Sequence, residues 1–163
     1  MKLFKMQFII MVFAILLTGC PAEDDKADPY IPPPSPPGLS DLVDGGGKGV
    51  PYTVESFPLE GEAQGGWFHG FESDINVKVI MENGFITGVV IGGGNGESVD
   101  VGKCLIYIAA NYIVEANSVE DGVIEANEKI IADGISSATA TATGIIKSGE
   151  DAIIKIAQAF KIP

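Results

Sequence analysis

The strongest constraint on the fold lies mid-chain, where Ile75-Asn-Val-Lys-Val-Ile-Met81 alternates and places Ile75, Val77, Val79 and Met81 on one face. A period of two marks a half-buried strand, because successive side chains point to opposite faces. Glu82-Asn83-Gly84 follows, and Phe85-Ile-Thr-Gly-Val-Val-Ile91 returns. Asn-Gly tolerates the positive φ angles that a tight hairpin turn requires. The pattern predicts an antiparallel hairpin, with Pro58-Leu-Glu-Gly-Glu-Ala-Gln64 as a further strand of the same sheet.

Gly92-Gly-Gly-Asn-Gly96 ends the returning strand, and the period then changes. Val101, Leu105, Ile108, Ala109, Tyr112 and Ile113 recur at helical spacing and predict a helix over about 100–116. A second helix is expected within 119–131. A last one is expected over about 143–160, with Ile145, Gly149, Ala152, Ile153, Ile156, Ala157 and Phe160 as its apolar stripe. An antiparallel sheet followed by helices is an α+β pattern: a small sheet with two to three packed helices in a single domain. Ile113-Val-Glu-Ala-Asn117 and Ile124-Glu-Ala-Asn127 echo each other, but too briefly to imply a duplication.

The N-terminal segment has a different design. Met1-Lys-Leu-Phe-Lys5 is basic, and Met6 to Leu16 is apolar apart from Gln7. The run is short for a membrane span and leads into Leu17-Thr18-Gly19-Cys20. These four residues resemble the bacterial lipobox, whose Cys is diacylated and becomes the new N-terminus. The resemblance implies a lipoprotein signal over residues 1–19, a lipid on Cys20 and an extracytoplasmic protein tethered to a membrane; the other reading is a plain signal peptide or anchor helix. At about 0.8 kcal/mol per buried methylene, two or three acyl chains anchor firmly. Residues 20–44 read as a tether, first acidic and then Pro-rich at Ile31-Pro-Pro-Pro-Ser-Pro-Pro-Gly38. In polyproline II, at ~3.1 Å per residue, it reaches about 70 Å. Gly45-Gly46-Gly47 marks the boundary, and residues 45–163 have a globular composition and enough length for a real core.

Charge narrows the function. All ten basic residues are Lys, and removing Lys2 and Lys5 with the signal leaves eight against 22 acidic residues, a net charge of −14. A surface this acidic is not expected to bind nucleic acid or anionic lipid. Without Arg there is no guanidinium fork for phosphate, so a bound phosphate would need backbone N–H groups, hydroxyls, Lys or a covalent bond. His69 is the only His, and Cys104 is the only Cys besides Cys20. That count excludes a zinc or haem site built on paired His and Cys ligands, and no calcium-loop spacing is present. Cys104, beside Val101, Leu105 and Ile108, reads as a buried structural thiol.

One segment stands out chemically: Asp133-Gly-Ile-Ser-Ser-Ala-Thr139-Ala-Thr-Ala-Thr-Gly144, rich in hydroxyls and small side chains and running into a helix. A helix start offers unpaired N–H groups and a positive dipole end, which attract an anion such as phosphate. A strand with outward Thr, or an ordinary Thr-rich helix cap, would have much the same sequence.

Asp133-Gly-Ile-Ser-Ser-Ala-Thr139 resembles the attachment motif of the FMN-binding domain family, Asp-x-x-Ser/Thr-Gly-Ala-Thr. That family includes the flavin-carrying subunits of sodium-pumping NADH:quinone reductases and Rnf complexes. The likeness runs in order over roughly residues 58–160. Gly61-Glu-Ala-Gln-Gly65 is similar to the family's opening strand, and Ile75–Ile91 to its strand–turn–strand unit. Glu97, Ser98 and Gly102 match a Glu-Thr-x-x-x-Gly-like loop. Two departures are Ser137, where Gly is commonest, and a 92–102 loop without the Pro-Gly pair often found there.

The resemblance implies FMN joined through its phosphate to the Thr139 hydroxyl by a flavin transferase that takes FMN from FAD. Asp133 would help the transferase position its metal and the acceptor. Ser136, Ser137, Ala138 and Thr141 would shape the pocket, with Glu97 and Ser98 near the flavin. Trp67, Phe68 and Phe71 are candidates to cover the ring, or else core or loop hydrophobes. The expected partners are redox proteins or quinone, and an acidic surface would lower the flavin potential. The rival readings are a non-redox envelope lipoprotein with no cofactor and a reductase acting on a small substrate. The second lacks a His-centred acid–base constellation and a second domain to form a cleft.

Overall fold

The computed structural model describes residues 43–98 and 101–160. The expected leader, Cys20 and all of the expected tether except Val43 and Asp44 lie outside the described residues. Among the described residues, six strands precede three helices: β1 (Thr53–Val54), β2 (Phe57–Pro58), β3 (Gly61–Gln64), β4 (Phe68–His69), β5 (Asp74–Glu82) and β6 (Phe85–Gly93), then α1 (Gly102–Ala116), α2 (Val119–Ala132) and α3 (Thr139–Ala159). The domain is α+β, with a four-stranded and a two-stranded antiparallel sheet.

The hairpin forms as its pattern requires. Glu82 pairs with Phe85 across Asn83 (φ 52) and Gly84 (φ 79), both in the left-handed region that a two-residue turn needs. Ile75, Val77 and Val79 have no exposed surface, and Met81 almost none. Between Ile80 and Met81 the register slips by one residue. Directly paired residues share a face, so the slip lets Ile86, Val89 and Ile91 all join Met81, Val79 and Val77 on the core side. Val90 is left outward at 59% exposure.

The other edge of β5 is shared. β3 pairs with its second half, from Gly61↔Met81 to Gln64↔Lys78, and β4 with its first, Phe68↔Ile75 and His69↔Asp74. The strand expected over 58–64 is thus realised only from Gly61. Phe57–Pro58 pairs instead with Thr53–Val54, where a proline without an N–H is tolerated at an edge. In the gap between β3 and β4, Val77 N–H donates to Ser148 Oγ at 2.8 Å, and that hydroxyl donates to Gly66 O at 2.7 Å. The α3 helix thereby completes the hydrogen bonding of a sheet edge that its own strands leave broken.

The helices pack on this sheet and on each other through small residues. Leu105, Ala109 and Ile113 form the fully buried stripe of α1, while Ile108 and Tyr112 are half-buried. Cys104 is half-buried and free, at the margin of that stripe rather than in the core as its neighbours suggested. Ser118 Oγ accepts the Asp121 N–H at 3.2 Å, and Glu120 and Asp121 sit in the first turn of α2, both favourable at a helix start. The stripe expected on α3 is buried except at its end, where Phe160 is half-buried past the last turn. Val43 is in the core and Asp44 exchanges backbone hydrogen bonds with Thr53, so packing begins before the triple glycine.

Gly65 bears most directly on this arrangement, since a Cβ there would lie 1.8 Å from Ser148 O. Gly65→Ala forces α3 off the broken edge and is expected to cost about 3 kcal/mol, the upper end of ordinary overpacking, read as a lower urea midpoint.

Candidate functional site

The hydroxyl-rich segment covers the connection between α2 and α3 and the start of α3, and its first two residues stop α2. Gly134 N–H donates to Ile131 O and Ile135 N–H to Ile130 O, both at 2.9 Å, with Gly134 at φ +84. This is a Schellman ending, and the left-handed residue it requires is the glycine. Asp133 is the exposed C-cap and pairs with Lys129 one turn back. The hydrogen bond from Lys129 to Asp133 is the main cause that raises the ammonium above its ordinary pKa. An exposed pair one turn apart contributes little to stability.

After Asp133–Ala138 the chain turns helical at Thr139, four residues before the expected start at 143. Thr and Ala alternate there, and β-branched residues are weak helix formers, so propensity gives no early start. Tertiary bonding does. Thr141, 1% exposed, donates its hydroxyl to Glu97 Oε2 at 2.5 Å, and Asn127 Oδ1 accepts the Ala138 N–H at 3.0 Å. These two contacts fix the first turn of α3 between the 94–98 loop and α2.

Glu97 is a buried carboxylate at the junction of three segments. Its Oε1 accepts from Phe71 N–H (2.9 Å), Glu72 N–H (3.1 Å), Ser73 N–H (3.1 Å) and Ser73 Oγ (3.2 Å). Burial alone would raise its pKa; the hydrogen bonds from Thr141, Glu72 and Ser73 outweigh that and hold the carboxyl below its ordinary 4.5. Two glycines leave room for it. A Cβ on Gly70 would fall 2.6 Å from Oε1, and one on Gly102 would fall 2.8 Å from Oε2.

Above this junction lies a cleft of about 400 Å³ lined by Phe71, Ser98, Gly102, Ser136, Ser137 and Thr139, with Val101, Ala138, Ala140 and Thr141 completing its wall. The volume is that of a modest small-molecule site. Thr139 is exposed and is the first residue of α3, which has no side-chain cap and no acidic residue in its first turn. The first-turn N–H groups of α3 therefore remain available to a ligand in the cleft.

The site residues expected from sequence divide into three groups. Ser136, Ser137, Ala138, Thr139, Thr141 and Ser98 share the cleft. Glu97 supports it from below, since its oxygens are occupied by Phe71, Glu72, Ser73 and Thr141. Asp133 stands outside the lining residues on the α2 terminus. Of the aromatics, Phe71 lines the cleft at 63% exposure; Trp67 lies against Gly93 and Phe68 pairs with Ile75 in β4. Sequence reasoning missed Asn127. Its signal was an amide in a helix interior, where Asn is a poor helix former without a partner outside the helix.

Glu97→Ala leaves the 71–73 amides and the Thr141 hydroxyl without their acceptor and is expected to cost about 1–3 kcal/mol, measured by urea unfolding. The pH dependence has a definite sign. A lowered folded pKa makes the Glu97 contribution complete above its ordinary 4.5 and loses it as the pH falls through the lowered folded value. Glu97→Gln is expected to flatten that acid loss relative to the wild type over the same interval, with thermal midpoints as the readout.

No family model, no curated protein and no solved structure matches this chain.

Proposed function

We propose that the chain is a membrane-anchored, extracytoplasmic electron carrier with FMN attached through a phosphoester to Thr139. The observation that carries the reading is an exposed hydroxyl at the first residue of an uncapped 21-residue helix, opening into a cleft of about 400 Å³. The donor set suits a phosphate in a protein that has no Arg. Backbone N–H groups at the α3 start and the hydroxyls of Ser136 and Ser137 would meet the single negative charge of a phosphodiester, which the helix dipole also favours. Glu97 does not oppose this strongly, because its charge is already taken up by Phe71, Glu72, Ser73 and Thr141.

Phe71 stands across the cleft, where its ring would pack against an isoalloxazine and shield one face from water. The bound flavin supplies the redox chemistry; the chain holds it, keeps one side covered and sets its electrostatic surroundings. A cleft of this size leaves a flavin partly open, which suits exchange of electrons with redox proteins or quinone. The lipid on Cys20 and the tether would hold that flavin near a membrane while letting it reach partners. Maturation would need a flavin transferase.

Co-expression of the full chain with a flavin transferase tests the reading. The wild type is expected to gain the mass of one FMN less water and to keep flavin fluorescence through denaturing electrophoresis, while Thr139→Ala gains neither. Cys20→Ala is expected to move the chain from the membrane to the soluble fraction without changing attachment. An unlabelled wild type, with the transferase active on a control substrate, would instead favour a non-redox envelope lipoprotein.

A further inference from the structure

Thr139 is held by a chain of side-chain contacts that begins on a different helix. Asn127, in the interior of α2, accepts the Ala138 N–H at Oδ1 (3.0 Å) and donates from Nδ2 to Ser137 Oγ (3.0 Å). Ser137 Oγ in turn lies 3.0 Å from Thr139 Oγ1. A backbone N–H can only donate, so the amide oxygen must face Ala138 and the amide nitrogen must face Ser137. The Ser137 oxygen then accepts from Asn127, which leaves its own hydrogen free to donate to Thr139 Oγ1.

The need for such a contact follows from the position of Thr139. A threonine inside a helix can bond back to the carbonyl four residues earlier, as Thr143 does to Thr139 O at 2.9 Å. At the first residue of α3 no helical carbonyl lies one turn back, so Thr139 has no such restraint. The contact with Ser137 supplies one and selects a side-chain rotamer facing the cleft.

We propose that Asn127 and Ser137 are positioning residues for attachment, acting as a one-way relay that presents the Thr139 oxygen to the transferase. The proposal rests on the attachment reading and extends it to residues outside the acceptor itself. In the transfer, a bond forms between Thr139 Oγ1 and the FMN-side phosphorus of FAD. The anhydride bond to AMP breaks, AMP leaves with that bond pair, and the Thr139 proton passes to a base of the transferase. Because Thr139 Oγ1 accepts from Ser137, its own proton remains free for that base and a lone pair faces the incoming phosphorus. Glycine, the commonest residue of the family at the position of Ser137, has no hydroxyl for this link.

The test follows attachment to the detergent-solubilised full chain over time, with a flavin transferase, FAD and its divalent metal, by intact mass. Removing one neutral hydrogen bond from the reacting geometry is expected to lower the saturated rate about threefold to tenfold in Ser137→Ala. The half-saturating concentration of the chain and its Tm are expected to stay unchanged. Ser137→Thr keeps a hydroxyl and is expected to restore the rate. Asn127→Asp keeps an acceptor for the Ala138 N–H but has no hydrogen for Ser137, and is expected to fall with Ser137→Ala. Wild-type rates in both Ser137→Ala and Asn127→Asp would overturn the relay and leave attachment standing. Equal slowing in Ser137→Thr and Ser137→Ala would assign the effect to shape and overturn the relay as well. A wild type that gains no mass, beside a control substrate that does, would overturn attachment and relay together.

Discussion

The Glu97 carboxylate is the point through which the parts of the site reach one another. One oxygen gathers the N–H groups of the 71–73 turn and the other takes the Thr141 hydroxyl, so a turn after β4, the loop after β6 and the start of α3 meet at a single side chain. A buried carboxylate is unfavourable unless its lone pairs are filled, and here they are. The same bonding that keeps Glu97 ionised also fixes where α3 begins, and with it the place of Thr139.

The sheet contributes the frame for that junction. β5 carries β6 on one edge and both β3 and β4 on the other, and the gap between the last two is closed by Ser148 from α3. α3 is thus held near its start by Glu97 and near its middle by the sheet edge. A helix fixed at two points keeps its N-terminus still. Precise presentation of a terminal hydroxyl depends on that more than on the local sequence around it.

The two Glu-Ala-Asn segments show how little a short echo says by itself. Asn117 ends α1 in the left-handed conformation (φ 51), accepts the Ile86 N–H at 2.7 Å and donates to Val50 O at 2.8 Å. Asn127 stays helical and clamps the segment before α3. Identical tripeptides serve different ends because one falls at a helix terminus and the other inside a helix. Both amides satisfy backbone groups of segments distant in sequence, and no local pattern encodes such pairings.

The sequence alone determined the elements whose signals are local. Alternation specified β5, Asn83-Gly84 specified its turn, apolar periodicity specified α1 and all but the first turn of α3, and Gly134 supplied the left-handed stop of α2. It also singled out Ser136, Ser137 and Thr139, because hydroxyls and small residues before a helix are a compositional signal. The tertiary structure decided the rest. It moved the start of α3 forward to Thr139, split the expected 58–64 strand, buried Glu97 beneath the cleft and brought Asn127 to the segment before α3. Each of those outcomes depends on a hydrogen bond between residues far apart in the chain or on neighbouring elements. Such bonds form only after the sheet and helices have packed, so short-range periodicity carries no trace of them.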